Sequence, residues 1–120
     1  MNVKVSDMTE VKIWHNNSCS KSRQTLALLK GKGIEPNVIE YLETPPSAHE
    51  LTSILTKMGK GPKDILRLKE AREEGIDLSS DGDQLIKVIV AHPRVLERPI
   101  VVNGDKAAIG RPPEAVLNIL

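Results

Sequence analysis

The run of apolar and polar positions divides the chain into an α/β opening, a helical middle and an α/β close. VKIWH at 11–15 has the β-branched, aromatic composition of a strand. After a short polar loop, Asn16 to Ser18, the run SKSRQTLALLK is built from good helix formers. It places Leu26 and Leu29 on one face and ends in basic residues and the glycines Gly31 and Gly33, which predicts a helix. NVIEYL at 37–42, following Pro36, is again apolar and β-branched. Strand, helix, strand is a βαβ unit and predicts a parallel strand pair. Residues 1–10 are polar and aperiodic and read as a loose N-terminal extension, so one ordered domain is expected over 11–120.

The middle of the chain changes character. Thr44-Pro45-Pro46 breaks the strand, and Ser47-Ala48-His49-Glu50 has the capping-box pattern of Ser at N-cap with Glu at N3. Leu51, Ile54, Leu55 and Met58 then fall at i, i+3, i+4 and i+7, and Gly59 sits where a left-handed C-terminal residue is wanted. Pro62 suits the first turn of a next helix running through Ile65, Leu66 and Leu68, with KEAREEG continuing it or forming a separate turn. QLIKVIVA at 84–91, with Asp81 and Asp83 in front and His92-Pro93 behind, predicts a further helix. These elements make a helical insert over about residues 46–93.

Strand signals return with PIVV at 99–102, the Asn103-Gly104 turn and KAAIG at 106–110, which together predict an antiparallel hairpin. RPPEAVLNIL closes the chain as a helix with Pro112 and Pro113 at its start and Val116, Leu117 and Leu120 free to cover a sheet. The class is therefore α/β, in the order βαβ, helical insert, ββα. There is no internal repeat and no low-complexity segment.

Composition narrows the function classes. A chain of 120 residues with 17 basic and 16 acidic residues, net +1, has no electrostatic footprint for nucleic acid or an anionic membrane. Phe is absent and Trp14 and Tyr41 are the only aromatics, so the core is expected to be aliphatic. No stretch approaches the roughly 18 consecutive apolar residues of a membrane span, and the start MNVKVSDMTE lacks a secretory h-region, which points to the cytoplasm. One cysteine excludes an internal disulfide and an all-cysteine metal site, and fits a reducing compartment. His15, His49 and His92 are far apart in sequence, so no metal is expected, and no organic cofactor motif occurs.

The chemistry concentrates at Cys19. It lies after the first strand and its loop and immediately before the first helix, where backbone N–H groups lack helical partners and the dipole is positive. That environment lowers a thiol pKa from about 8.5 into the range of about 3.5 to 7.5, so the nucleophilic thiolate becomes abundant at neutral pH. Lys21 and Arg23 make the first turn basic, and Ser18, Ser20 and Ser22 offer hydroxyl donors. A buried inert thiol would lie in apolar sequence, which this is not. His15 ends the first strand four residues earlier and could assist the thiolate. Arg98 and Arg111 stand at edges of the C-terminal hairpin, each directly before a proline.

The segments I-W-H-N-N-S-C-S-K-S-R at 13–23, Y-L-E-T-P-P at 41–46, K-M-G at 57–59, H-P at 92–93, R-P-I-V-V at 98–102 and G-R-P-P-E at 110–114 resemble the ArsC arsenate reductase family, in order and spacing from about Val11 to Leu120. The resemblance implies a thioredoxin-like core with an inserted helical subdomain and a cis peptide before Pro99. It also implies that Cys19 attacks arsenate, that glutathione enters as co-substrate with no bound cofactor, and that glutaredoxin, the expected protein partner of a monomer, reduces the adduct to release arsenite. By position, Arg98 and Arg111 match arginines that grip the oxyanion, and His15 matches the histidine near the nucleophile. Lys63 stands at a third family arginine, keeping the charge without the planar fork. Arg67, one helical turn later, could substitute for it. Asn17 stands where the family often has proline.

Two other readings belong to the same fold. A related glutathione-dependent thiol reductase keeps the cysteine with little arsenate activity, and the Lys63 change favours it. Regulators of the Spx type bind RNA polymerase but usually carry a Cys-x-x-Cys switch, whereas Cys19 is followed three residues later by Ser22.

Overall fold

The computed structural model describes residues 10–80 and 82–120. The expected N-terminal extension falls almost wholly on residues 1–9, outside the described residues, as does Asp81. The described chain falls into two compact units: one formed by the segments up to Glu40 and from Arg98 to Leu120, the other by Tyr41–Glu97. The helical unit is thus a little wider than the insert expected from sequence.

The first unit is a four-stranded sheet with helical segments packed on it. Its elements are β1 (Val11–His15), α1 (Ser20–Gly31), β2 (Asn37–Glu40), β3 (Ile100–Asn103) and β4 (Lys106–Ile109), followed by a 3-10 helix over Pro113–Ile119. The strand order is β2-β1-β3-β4. β1 and β2 pair in parallel, as the βαβ pattern predicts, with Ile13 opposite Val38. β3 and β4 form the expected antiparallel hairpin through Gly104 at φ 62°, with Ile100 opposite Ile109. β1 pairs antiparallel with β3, Trp14 opposite Ile100. This is the thioredoxin-like arrangement.

The core of this unit is aliphatic. Ile13, Leu29, Val101 and Val116 are fully buried, and Val11, Leu26, Leu28, Ile34 and Ile119 pack against them. Leu29 projects from α1, beyond Ser22 and Thr25, which are equally buried. Leu29→Ala removes a side chain with no exposed surface and is expected to cost about 2–5 kcal/mol in unfolding free energy, read by denaturant titration. A loss below about 1 kcal/mol would mean that the site collapses around the missing atoms.

The C-terminal element forms, but as a 3-10 helix over Pro113–Ile119 rather than an α-helix. Two successive prolines supply no N–H at its start, and it is too short to offset the cost of a helical nucleus. The Asn103 side chain donates to Ile119 O at 2.7 Å and ties its end to the sheet.

In the second unit, α2 (Ala48–Met58) has the capping box as read. Glu50 N donates to Ser47 Oγ at 3.0 Å, Ser47 N donates to Glu50 Oε1 at 3.0 Å, and Gly59 is left-handed at φ 67°. α4 (Gly82–Ala91) also forms where expected. The helix expected from Pro62 through Leu68 does not run continuously. A 3-10 turn over Pro62–Ile65 stops at Leu66, and α3 (Leu68–Glu73) starts afresh. The cause is a short antiparallel bridge of Leu66 with Leu96, in which Arg67 N donates to Val95 O at 2.7 Å and Glu97 N to Ile65 O at 2.8 Å. Buried Ile65, Leu66, Val95 and Leu96 hold that bridge, so tertiary pairing overrides the local helix signal.

Candidate active site

The sheet topology assembles the site. β1 ends at His15, and its antiparallel pairing with β3 places that end beside the start of β3, where Arg98 and Pro99 lead in. The β3–β4 register sets Ile109 opposite Ile100, so Gly110 and Arg111 leave β4 at the same end. Three sequence-distant segments, 15–23, 98–99 and 110–111, therefore converge through strand pairing. The Arg98–Pro99 peptide is cis, as the resemblance implied, and the Arg111–Pro112 peptide is cis as well, which the sequence reading had not anticipated.

Cys19 is the N-cap residue of α1, with extended φ/ψ of −96° and 123°. Its N–H donates to Asn16 O and its C=O accepts from Arg23 N, each at 3.0 Å. A Ser or Asp cap would close its side-chain oxygen onto the first turn, whereas this sulfur makes no short cap bond and meets the N–H groups as oriented dipoles. Burial pushes the thiol pKa up. The backbone N–H of Ser22, the Arg98 guanidinium and the backbone N–H of Lys21 act the other way and prevail, so Cys19 is held below the ordinary thiol value. Arg111 supplies a second fork: its Nη2 donates to Cys19 Sγ at 3.4 Å while its Nε donates to Arg98 O at 2.8 Å. The sulfur is partly exposed, so a small molecule reaches it.

The loop before Cys19 is held from below. Ser22, fully buried, accepts from Asn16 N at 3.1 Å and lies 2.6 Å from His15 Nδ1. On its other side, His15 Nε2 lies 3.4 Å from Asn17 Oδ1, so the imidazole bridges Ser22 and the loop. His15 thus bears on the thiol through Ser22 and the loop. Arg23, read from sequence as added positive charge, donates from Nη1 to Asn17 O at 2.8 Å and braces the same loop. Ser22 was read only as one of several hydroxyl donors. Its place three residues after an N-cap on the inward face of α1 is the signal that would have singled it out.

Lys63 and Arg67 belong to the second unit. Lys63 is exposed in the 3-10 turn over Pro62–Ile65. Arg67 is engaged by two carboxylates: its Nε meets Glu70 Oε2 at 3.0 Å and its Nη1 meets Glu97 Oε1 at 2.9 Å. Among the described residues no cluster of His, Cys, Asp or Glu could hold a metal ion, and no helix is long and apolar enough to cross a membrane.

A helix-capping thiol of lowered pKa, flanked by two guanidinium forks on a thioredoxin-like sheet, has the equipment for thiol chemistry on an anion. The chain belongs to the ArsC family, whose model matches residues 14–119. It is 47% identical over 112 residues to an arsenate reductase of Haemophilus influenzae, covering 90% of this chain and 97% of that one. It is 46% identical over 115 residues to the uncharacterized protein YfgD of Escherichia coli K12, covering 92% and 97%. Among solved structures, an arsenate reductase from Vibrio cholerae superposes with a TM-score of 0.83 at 44% identity, covering 93% of this chain and 98% of that one.

Proposed function

We propose that the protein is an oxidoreductase that reduces arsenate to arsenite, with Cys19 as nucleophile and with glutathione and glutaredoxin supplying the electrons. The observation that carries this reading is the approach of Arg111 Nη2 to Cys19 Sγ, 3.4 Å, with Arg98 acting on the same sulfur. Cationic forks that stabilise a thiolate in the resting site can turn to the oxygens of an incoming oxyanion as negative charge moves off sulfur. The 44–47% identity to arsenate reductases of Haemophilus, Neisseria and Vibrio over nearly the whole chain supports the substrate.

In the first step the Cys19 thiolate forms a bond to As(V), and an arsenic–oxygen bond breaks, its hydroxide leaving as water with one proton taken up. Glutathione then displaces a second oxygen as water, its thiol proton completing that water. A glutaredoxin thiolate attacks the glutathionyl sulfur, and the S–As electron pair stays on arsenic, which falls from V to III as a mixed disulfide forms. Water displaces the Cys19 thiolate and releases arsenite. With one cysteine in the chain, the resolving sulfur has to come from outside. A reaction that draws on reduced glutathione supports a cytoplasmic location, and the proposal has the protein act there as a monomer. The test is arsenite release on incubation with arsenate, glutathione and glutaredoxin, with glutathione and glutaredoxin omitted in turn.

One observation favours a second reading, a glutathione-dependent thiol reductase. Lys63 lacks the arginine fork, and the guanidinium of Arg67 is already held by Glu70 and Glu97. The Lys63→Arg variant decides between them. An arsenate reductase gains or keeps turnover on this change, within about tenfold of the parent, the range spanned by one hydrogen-bonded contact. A parent that reduces glutathione mixed disulfides but releases no arsenite, with arsenite appearing only in Lys63→Arg, establishes the thiol reductase.

A further inference from the structure

Gly110, the residue between β4 and Arg111, stands in a conformation open to any side chain, yet has no room for one. A Cβ at this position would lie 2.5 Å from Thr25 Oγ1, 2.9 Å from Pro99 Cγ and 3.1 Å from Thr25 Cγ2. The other glycines are unlike it: a Cβ there meets open space, or at Gly61 an ordinary contact of 3.7 Å. The atoms against Gly110 do not yield easily. Thr25 is fully buried, its β-branched side chain is restricted at χ1, and its hydroxyl donates to Lys21 O at 2.8 Å, four residues back on α1. Pro99 is buried, and its carbonyl accepts from Gly110 N at 2.9 Å.

We infer that Thr25 and Gly110 are positioning residues that form a contact stop between α1 and the end of β4, and that this stop sets the distance from the Arg111 fork to the Cys19 sulfur. The argument is geometric. Cys19 and Thr25 are on the same helix, so its N-cap and the buried threonine move as one body. Gly110 and Arg111 are consecutive, so whatever lifts position 110 off Thr25 lifts the arginine too. Arg111 Nη2 reaches the sulfur at 3.4 Å while its Nε is held on Arg98 O at 2.8 Å, so rotating the fork to follow a displaced backbone would break the second bond. A side chain of zero length at 110 seats the strand end directly on the helix. Thr25 in turn supplies the surface it seats on.

The stop makes a reciprocal prediction. Gly110→Ala crowds the contact and pushes Arg111 away, while Thr25→Ala removes Oγ1 and Cγ2 and leaves Arg111 without backing. The double variant puts the new methyl into the space the threonine vacated, with only the Pro99 ring left to adjust by pucker. The role in oxyanion binding rests on the proposed arsenate reaction, so the experiment has an arm that does not. The pH midpoint of Cys19 alkylation by iodoacetamide is measured without arsenate for the parent, Arg111→Ala, Gly110→Ala, Thr25→Ala and the double variant. Gly110→Ala is expected to shift the midpoint upward toward that of Arg111→Ala, and the double variant to return it to the parent value. In turnover, KM for arsenate is expected to rise by about tenfold to a hundredfold in Gly110→Ala, the scale of a misplacement of an ångström, and to recover in the double variant. A purely structural glycine would lower the melting temperature without this recovery. A double variant as defective as Gly110→Ala, or a Gly110→Ala with parental midpoint and KM, overturns the inference. A parent without arsenate turnover overturns the proposed reaction and leaves the alkylation arm to decide the stop. Should Gly110→Ala fail to fold, Thr25→Val, which keeps the bulk, is expected to match the parent and Thr25→Ala to depart from it. Equal behaviour of those two overturns the stop.

Discussion

Cys19→Ser is expected to lower arsenate turnover by at least about a thousandfold, the scale on which removal of a nucleophile acts, while the protein keeps or gains thermal stability. The two signs come from the same position. Cys19 is the N-cap of α1, its sulfur closes no short cap bond, and serine is among the best N-cap residues, worth about 0.5–2 kcal/mol over a non-capping side chain. A hydroxyl at this site stays protonated at neutral pH, so the positive helix end and the Arg98 and Arg111 forks have no nucleophile to prepare. A poor cap at a helix start costs stability, as expected where a residue serves chemistry instead. Arsenite release and a thermal melt on the same preparation check both halves. Retained turnover in the serine variant would mean that the reaction bypasses the thiol, and lost turnover with a collapsed melt would mean that the cysteine is structural.

The elements that could be read from the chain are those whose signals are local. The Ser47–Glu50 capping box and left-handed Gly59 bound α2 where the pattern puts them, because both depend on residues within four positions of each other. Cys19 was legible for the same reason: a thiol among polar residues directly before a helix is a local feature. The places where sequence reasoning fell short are set by pairing across distance. Leu66 reads as helix and bridges to Leu96, thirty residues on, and nothing near Leu66 announces it. Ser22, one of three candidate hydroxyl donors in the sequence, and Thr25, which no local signal marks, are fully buried, Ser22 beneath the loop before Cys19 and Thr25 against Gly110, because α1 turns a mixed rather than an apolar face to the sheet. The meeting of Arg98, Arg111 and Cys19 follows from the β1–β3 and β3–β4 registers. From sequence it could come only by resemblance, since two arginines before prolines carry no information about their neighbours.

Arg98→Ala is expected to lower arsenate turnover by about a hundredfold to a thousandfold at neutral pH, as when one oxyanion donor is removed. It also raises the pH at which Cys19 becomes reactive. The direction follows from what holds the thiol down. Burial raises its pKa, the Ser22 N–H lowers it, and the Arg98 guanidinium lowers it further both as a donor and as a charge, so deleting Arg98 leaves burial less opposed. Alkylation of Cys19 by iodoacetamide should therefore slow most between the two midpoints, where a larger share of the parent than of the variant is thiolate. The two rates should converge above both midpoints, where both are thiolates. Folding carries the same sign: a thiol whose pKa is depressed in the native state contributes stability that is fully present above its unfolded value of about 8.5 and is lost as the pH falls through the native value. The stability gap between parent and variant should accordingly widen with rising pH. Arg98→Lys separates charge from fork. A lysine that restores the alkylation midpoint but not the turnover shows that the thiol senses the charge and the oxyanion needs the planar pair of donors. Unchanged alkylation in Arg98→Ala would transfer the control of the thiol to the helix terminus alone.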